Sequence, residues 1–185
     1  HNILLAVDSG SAAGKVGIGT DSPTTITEIN GVAPTLTLSD NQNKAWASGA
    51  DIARISFFSQ DTSGIGGHET GFILNENEGD GGSSLSGALV FGTAAYNAAA
   101  TEAMRIDDSG NVGIGTTGPT RTFEVNSGTA NAVARFESTD SRALIEFKDN
   151  VGTASIGNIG TNLTFFPDNA TEAMRIDSSG NVGIG

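Results

Sequence analysis

The sequence contains no cysteine and only one tryptophan and one tyrosine among its 185 residues. Without cysteine, a disulfide framework and a thiolate metal site are both excluded. Basic residues are scarce as well: nine lysines and arginines stand against 21 aspartates and glutamates, a formal net charge of −12. Such a surface repels phosphates, so we expect no nucleic-acid partner. No apolar run approaches the length of a transmembrane helix, so we expect no membrane insertion.

Glycine, by contrast, is abundant. The chain has 26 glycines, about twice the share that is usual in globular domains. A chain rich in glycine and poor in aromatic side chains predicts small units, each of which buries little surface by itself. We therefore expect the units to gain stability by oligomerisation.

An internal repeat dominates the sequence. Residues 101–115 and 171–185 differ at one of fifteen positions, where Asp108 stands in place of Ser178. A looser third copy covers residues 7–19. Repeats set the architecture and are considered before anything else. They predict the end of a preceding unit at residues 1–22, a first complete unit at 23–118 and a second at 119–185.

Each copy of the repeat predicts a β-hairpin. Met174 and Ile176 alternate with Arg175, the period of a strand with one apolar face. Residues 177–181 fit a type I turn with a bulge, in which Gly180 takes the left-handed conformation. The strand after the turn resumes the alternation and places its glycines opposite its apolar residues. A bare glycine face suits a strand that another backbone approaches closely.

The two units differ in length. Pro23 and Pro119 mark matching joints, since proline fixes φ and lacks a backbone donor. Unit one has six extra residues near 41–46 and twenty within 66–87, which we expect to form loops on an outer face. Residues 94–103 fit a short helix or, preferably, a crossing segment between strands.

Short runs of β-branched and aromatic residues, separated by turn residues, predict an all-β fold. The predicted strands cover residues 3–7, 25–29, 35–38, 55–57, 72–74, 89–91, 122–125, 134–136, 143–147, 155–159 and 162–165.

Residues 173–185, Ala-Met-Arg-Ile-Asp-Ser-Ser-Gly-Asn-Val-Gly-Ile-Gly, resemble the repeat of bacteriophage tail-fibre and related receptor-binding appendage proteins. The resemblance is specific at 101–120 and 171–185 and looser at 3–24. It implies an elongated, β-rich, homotrimeric fibre shaft with parallel and often intertwined chains. Since the chain opens within one repeat and ends on another, we expect it to be part of a longer polypeptide.

The functional expectation is therefore a structural shaft segment of a phage tail fibre, a virion component that positions a host-recognition tip. Its expected partners are two further copies of itself, other tail or baseplate proteins and a host surface glycan. We expect no enzymatic activity and no cofactor. Two alternatives remain: a bacterial extracellular filament or adhesin, and a tailspike-like depolymerase, which would need a pair of carboxylates in a groove.

The sequence indicates no catalytic, cofactor-binding or metal-binding residue and leaves the receptor-binding residues unknown. His68 is expected in a loop, and Trp46 is expected to pack against the shaft rather than to stack on a carbohydrate. The acidic stretch 75–80 could attract Ca²⁺, but a solvated loop fits better. The glycosylation sequons at 162–164 and 169–171 are short enough to arise by chance.

The repeat also suggests how chains would meet. Arg105 and Arg175 are expected on the polar face of the hairpin, either paired with acidic groups of a neighbouring chain or simply exposed. Burial between chains is expected for the opposite, apolar face. That face carries Met104, Ile106, Val112, Ile114 and their copies.

Overall fold

The computed structural model describes residues 5–7, 16–18, 25, 27–30, 32–39, 47–61, 66–79, 86–168 and 171–185. The described residues form strands and turns, with no helix among them, which confirms the predicted all-β class. The chain divides into two compact units, His1–Glu124 and Val125–Gly185, and these are called unit one and unit two from here on.

The described residues form fourteen strands in three sheets. The first sheet comprises β1 (Leu5–Val7), β2 (Val16–Ile18) and β3 (Thr27–Ile29). The second comprises β4 (Asp51–Ser59), β5 (His68–Asn77), β6 (Gly87–Ala94), β7 (Ala100–Ile106), β8 (Val112–Ile114) and β9 (Phe123–Val125). The third comprises β10 (Arg142–Lys148), β11 (Thr153–Ile159), β12 (Asn162–Phe166), β13 (Met174–Ile176) and β14 (Val182–Ile184). Strands lie in chain order in every sheet, and β2 and β3 pair in parallel.

The repeated hairpin has the same structure in both copies. The carboxylate of Asp107 accepts hydrogen bonds from the backbone N–H groups of Ser109 and Asn111 at 3.0 and 2.7 Å. Asp177 accepts the equivalent pair, both at 2.9 Å. Gly110 and Gly180 each lie just before the asparagine of their turn. They have φ of 82° and 83°, the left-handed conformation that the sequence predicts. Fifteen nearly identical residues therefore encode this turn locally, whatever surrounds it.

The repeat extends beyond the hairpin to five whole strands. Residues that pair across β4 to β8 form one row, and those that pair across β10 to β14 form its counterpart. We call these the first rows. They consist of Ile55, Ile73, Phe91, Met104 and Ile114 in the second sheet, and of Ile145, Ile156, Phe165, Met174 and Ile184 in the third. Both rows read Ile-Ile-Phe-Met-Ile.

A second row lies two residues away on the same face of each sheet, since side chains alternate along a strand. It consists of Ala53, Asn75, Leu89, Ile106 and Val112 in the second sheet, and of Ala143, Asn158, Leu163, Ile176 and Val182 in the third. Again the two sheets carry the same five residue types. We call the face formed by both rows the row face.

The buried core lies on the other face of the second sheet. Phe72, Leu74, Ala88 and Val90 form its buried cluster, and Ala100 packs against it. The guanidinium of Arg54 covers Phe72 at 3.9 Å from the ring centre. In the third sheet the buried residues are Ser155, Thr164 and Phe166.

The glycine of the second hairpin strand is covered by the following joint. A Cβ on Gly113 would lie 2.9 Å from the carbonyl oxygen of Thr116 and 3.3 Å from Pro119, which is buried. The predicted close approach to this glycine therefore exists within one chain. At Gly183 an added Cβ would meet only Arg175, at an ordinary 3.7 Å.

Three sequence predictions are wrong in detail. The twenty extra residues of unit one do not all lie in loops within 66–87. The strand pairing shows that they are distributed over the three hairpins that join β4 to β7. Residues 94–103 form neither a helix nor a crossing segment, since β6 and β7 are joined by a tight turn with Asn97 at φ 56°. Residues 35–38 and 134–136 belong to no strand. The six extra residues near 41–46 and the joint at Pro23 lie outside the described residues.

Candidate functional surface

The row face is an apolar surface that the single chain covers only in part. None of its residues is buried in either unit. Ile55 is 42 % exposed, Ile114 37 % and Ile184 83 %. A sheet whose apolar face is left half in water is typical of a surface that meets a partner. In the hairpin, the predicted apolar face of Met104, Ile106, Val112 and Ile114 is confirmed, because these residues pair with one another across β7 and β8.

The row face also extends over the strands before each hairpin, which the sequence patterns did not indicate. Ile55, Ile73 and Phe91 continue the row of Met104 across three further strands. In β5 and β6 the apolar residues run without a break, Phe72-Ile73-Leu74 and Leu89-Val90-Phe91, so alternation does not mark one apolar side there. The pairing register, which aligns these residues into one row, becomes visible only in the structure.

No charged side chain occurs in the four rows. This is notable in a chain of net charge −12. Two acidic molecules repel one another wherever their carboxylates approach. Copies of this chain can therefore meet at the row face without bringing like charges together.

Shallow grooves run along the row face. In the second sheet, a groove is lined by Phe57, Gly71 and Phe91. In the third sheet, a groove is lined by Ile145 and Leu163 together with Phe136, which precedes the sheet and is 64 % exposed. Apolar linings of this kind can accept apolar side chains of a partner.

Arg105 lies on the core face of the second sheet, not on a polar face. It is 5 % exposed, so simple solvent exposure is wrong for this residue. Its guanidinium donates to Glu102 at 2.7 and 2.8 Å and to Glu76 at 3.0 Å, and it also contacts Glu78. Hydrogen bonding to Glu102, followed by that to Glu76, raises the pKa of Arg105 further above its usual value.

Arg175 occupies the same position of the second hairpin in different surroundings. Its side chain is 47 % exposed, and its partner is Glu172, which accepts a hydrogen bond at 2.7 Å from one terminal nitrogen and a second from Nε. In the third sheet, Ile159 takes the place that Glu76 has in the second. Both arginines thus pair within their own chain. Pairing with a neighbouring chain stays a prediction.

His68 is not a loop residue, because it begins β5 and pairs with Ser59. Its Nδ1 lies 2.6 Å from the carbonyl oxygen of Gly66. The strand continues through residues 75–77, so the expected loop over 75–80 is also wrong there. The cause is backbone pairing at its end, where Asn77 donates to the carbonyl oxygen of Ala50 at 2.8 Å.

The glutamates of the acidic stretch 75–80 form ion pairs and a hydrogen bond within the chain. Glu76 and Glu78 direct their carboxylates at Arg105, and Glu78 also accepts a hydrogen bond from the backbone of Asp108 at 2.8 Å. Thr164 of the first sequon is fully buried and donates to Gly157 at 3.0 Å. Trp46 and the asparagine of the second sequon lie outside the described residues.

Within the described residues, no group of histidine and carboxylate side chains has an arrangement suited to a metal ion. The same residues include no helix long and apolar enough to span a membrane. Neither a protein-family model nor a curated protein matches the chain.

Proposed function

We propose that this chain is a structural shaft segment of a homotrimeric phage tail fibre, in which it holds a host-recognition tip away from the virion. The observation that carries the proposal is the row face, which recurs with the same residues in both units and is only partly covered in the single chain. In this proposal the role is mechanical and needs neither catalysis nor a cofactor. The further partners are other tail or baseplate proteins and, through the tip, a host glycan.

The energies favour association through several rows at once. Full burial of a large apolar side chain contributes about 1.5–3 kcal/mol, so a half-covered one contributes roughly 1 kcal/mol more when a partner covers it. Association itself costs about 4–15 kcal/mol in lost freedom. The free energy gained by burying the rows of one unit would be close to this cost, whereas the gain from the rows of two units together would exceed it. A shaft built from repeated units gains stability in this way.

The repetition of the row face also supports a partner of the same kind. A molecule that covers both units must offer a complementary surface at the same repeat along its length. Further copies of this chain meet that condition, and homo-oligomers with closed symmetry are the commonest assemblies. Three copies around one axis would cover the row faces of all chains equally.

The test is the mass of the purified protein in solution and its response to charge on the row face. We expect a trimer for the wild type and dissociation for Ile114→Asp and Ile184→Asp. Ile184 is 83 % exposed, so aspartate there disturbs the single chain little. Tyr96→Asp is the matched control, since Tyr96 lies in a turn and is 94 % exposed. A monomeric wild type, or a trimer that both row variants leave unchanged, would contradict the proposal.

Two further measurements separate the proposal from its rivals. Negative-stain images of the parent appendage should place it on a phage particle; attachment to a bacterial cell would assign the same shaft to a surface filament or adhesin. Incubation with host polysaccharide should release no reducing ends. Their release would favour a depolymerase.

A further inference from the structure

Two straight segments, residues 34–39 and 132–138, lie outside every sheet. Neither contains a turn or a bend, and all of their residues are exposed. No hydrogen bond joins their backbone groups to other described residues. The sequence predicts strands at 35–38 and 134–136, so each segment has the pattern of a strand without the partner that a strand requires.

The side chains of these segments also alternate as in a strand. Arg135 and Glu137 form an ion pair at 3.7 Å, which places alternate residues on one side. Phe136 then points to the other side and is 64 % exposed. In the earlier segment, Leu36 and Leu38 alternate with threonines and are 65 % and 46 % exposed. The two leucines thus share one side of their segment, while Phe136 lies opposite the ion pair of its own segment and Val133 lies on the ion-pair side. This alternation is typical of an extended strand.

Each segment is followed along the chain by a strand with an open edge. The segment 34–39 precedes β4, and the segment 132–138 precedes β10. Both β4 and β10 are the outermost strands of their sheets, so no strand of the described residues lies beside their outer edges. Long open edges present a row of free N–H and C=O groups that readily accept another strand. Adding an extended segment to such an edge is a common way for proteins to associate.

We propose that each straight segment pairs with the open edge of a neighbouring copy of this chain, 34–39 with β4 and 132–138 with β10. The argument for a copy is that segment and edge occur together, once in each unit and in the same order. A partner that satisfies both units must carry edges and segments at the same repeat, as a copy does. This inference rests on the proposed trimer, and it adds the strands that link its chains.

The test is amide hydrogen exchange of the full chain, measured as a function of protein concentration. Residues 132–138 and β10 should exchange at least about tenfold more slowly in the assembled protein than in the dilute monomer, because paired amides open rarely. Protection that is already present in the monomer would mean pairing within one chain, and it would overturn the inference.

Proline scanning gives a second readout. Neighbouring N–H groups of a strand point in opposite directions, so one of Val133→Pro and Ala134→Pro removes a donor from the new pairing and the other does not. Proline suits an exposed extended segment, so the single chain folds with either variant. We expect one variant to dissociate at least about tenfold more readily than the other.

The outcomes for the two proposals differ. A trimer whose residues 132–138 exchange as fast as in the monomer would overturn the strand pairing and leave the shaft proposal standing. A chain that stays monomeric at every concentration would overturn both. Equal dissociation of the two proline variants would also contradict the strand pairing.

Discussion

Arg105 and Arg175 occupy the same position of two nearly identical hairpins, yet the first is buried and the second is half exposed. Each pairs with the glutamate three residues before it. Only Arg105 also contacts Glu76, which stands where the third sheet has Ile159, and Glu78. The same local sequence therefore produces a buried ionic cluster in one unit and a surface pair in the other.

Arg105→Ala should destabilise unit one far more than Arg175→Ala destabilises unit two. Removing Arg105 leaves the carboxylates of Glu76, Glu78 and Glu102 facing one another without a cation. Breaking a buried ionic group in this way costs about 3 kcal/mol. The measurement is chemical denaturation of both variants, followed by amide exchange to assign the loss to a unit. Equal losses from the two substitutions would show that burial does not distinguish these arginines.

A methyl group should be tolerated at Gly183 and not at Gly113. The Cβ of Gly113→Ala would lie 2.9 Å from the carbonyl oxygen of Thr116, so the joint at Pro119 must move. Overpacking against a backbone costs about 1–3 kcal/mol. Gly183→Ala, its matched control, makes only an ordinary contact and reduces the freedom of the unfolded chain, so stability should hold or rise slightly. Thermal unfolding of both variants checks this, and a larger loss for Gly183→Ala would contradict it.

The turn carboxylates should make the hairpins sensitive to acid. The hydrogen bond from the Asn181 side chain, together with backbone donors of the turn, lowers the pKa of Asp177. A carboxyl whose pKa is lower in the folded state stabilises that state above its unfolded pKa of about 3.9. This stabilisation is lost as the pH falls through the folded pKa. Stability should therefore decline below about pH 4.

Substitution of the donor tests the cause of that shift. Asn181→Ala removes the side-chain donor, so the pKa of Asp177 should move back toward its ordinary value. Titration of the Asp177 carboxyl by NMR measures the change directly, and the unaltered turn at Asp107 serves as the control in the same spectrum. A midpoint for Asp177 that does not change would assign the shift to the backbone donors alone.

Much of the fold follows from local patterns. Alternating apolar residues and turn residues predict the strands β10 to β14 well, because in these short hairpins each partner lies close in sequence. The strands predicted at 155–159 and 162–165 are an example, since Ile159 and Asn162 pair around the two-residue turn between them. The prediction fails at residues 35–38 and 134–136, where the pattern is that of a strand but no partner lies within the described chain.

The sequence by itself determined the repeated turn, since Asp177, Gly180 and Asn181 form hydrogen bonds with one another within five residues. It also determined which residues share a face, because that depends only on the alternation along a strand. Only the tertiary structure decided which face forms the core. In unit one the face that carries Arg105 and Val90 is buried, whereas the row face with its isoleucines remains half exposed. This choice depends on how strands distant in sequence pair and on what covers the sheet, and no local pattern contains that information.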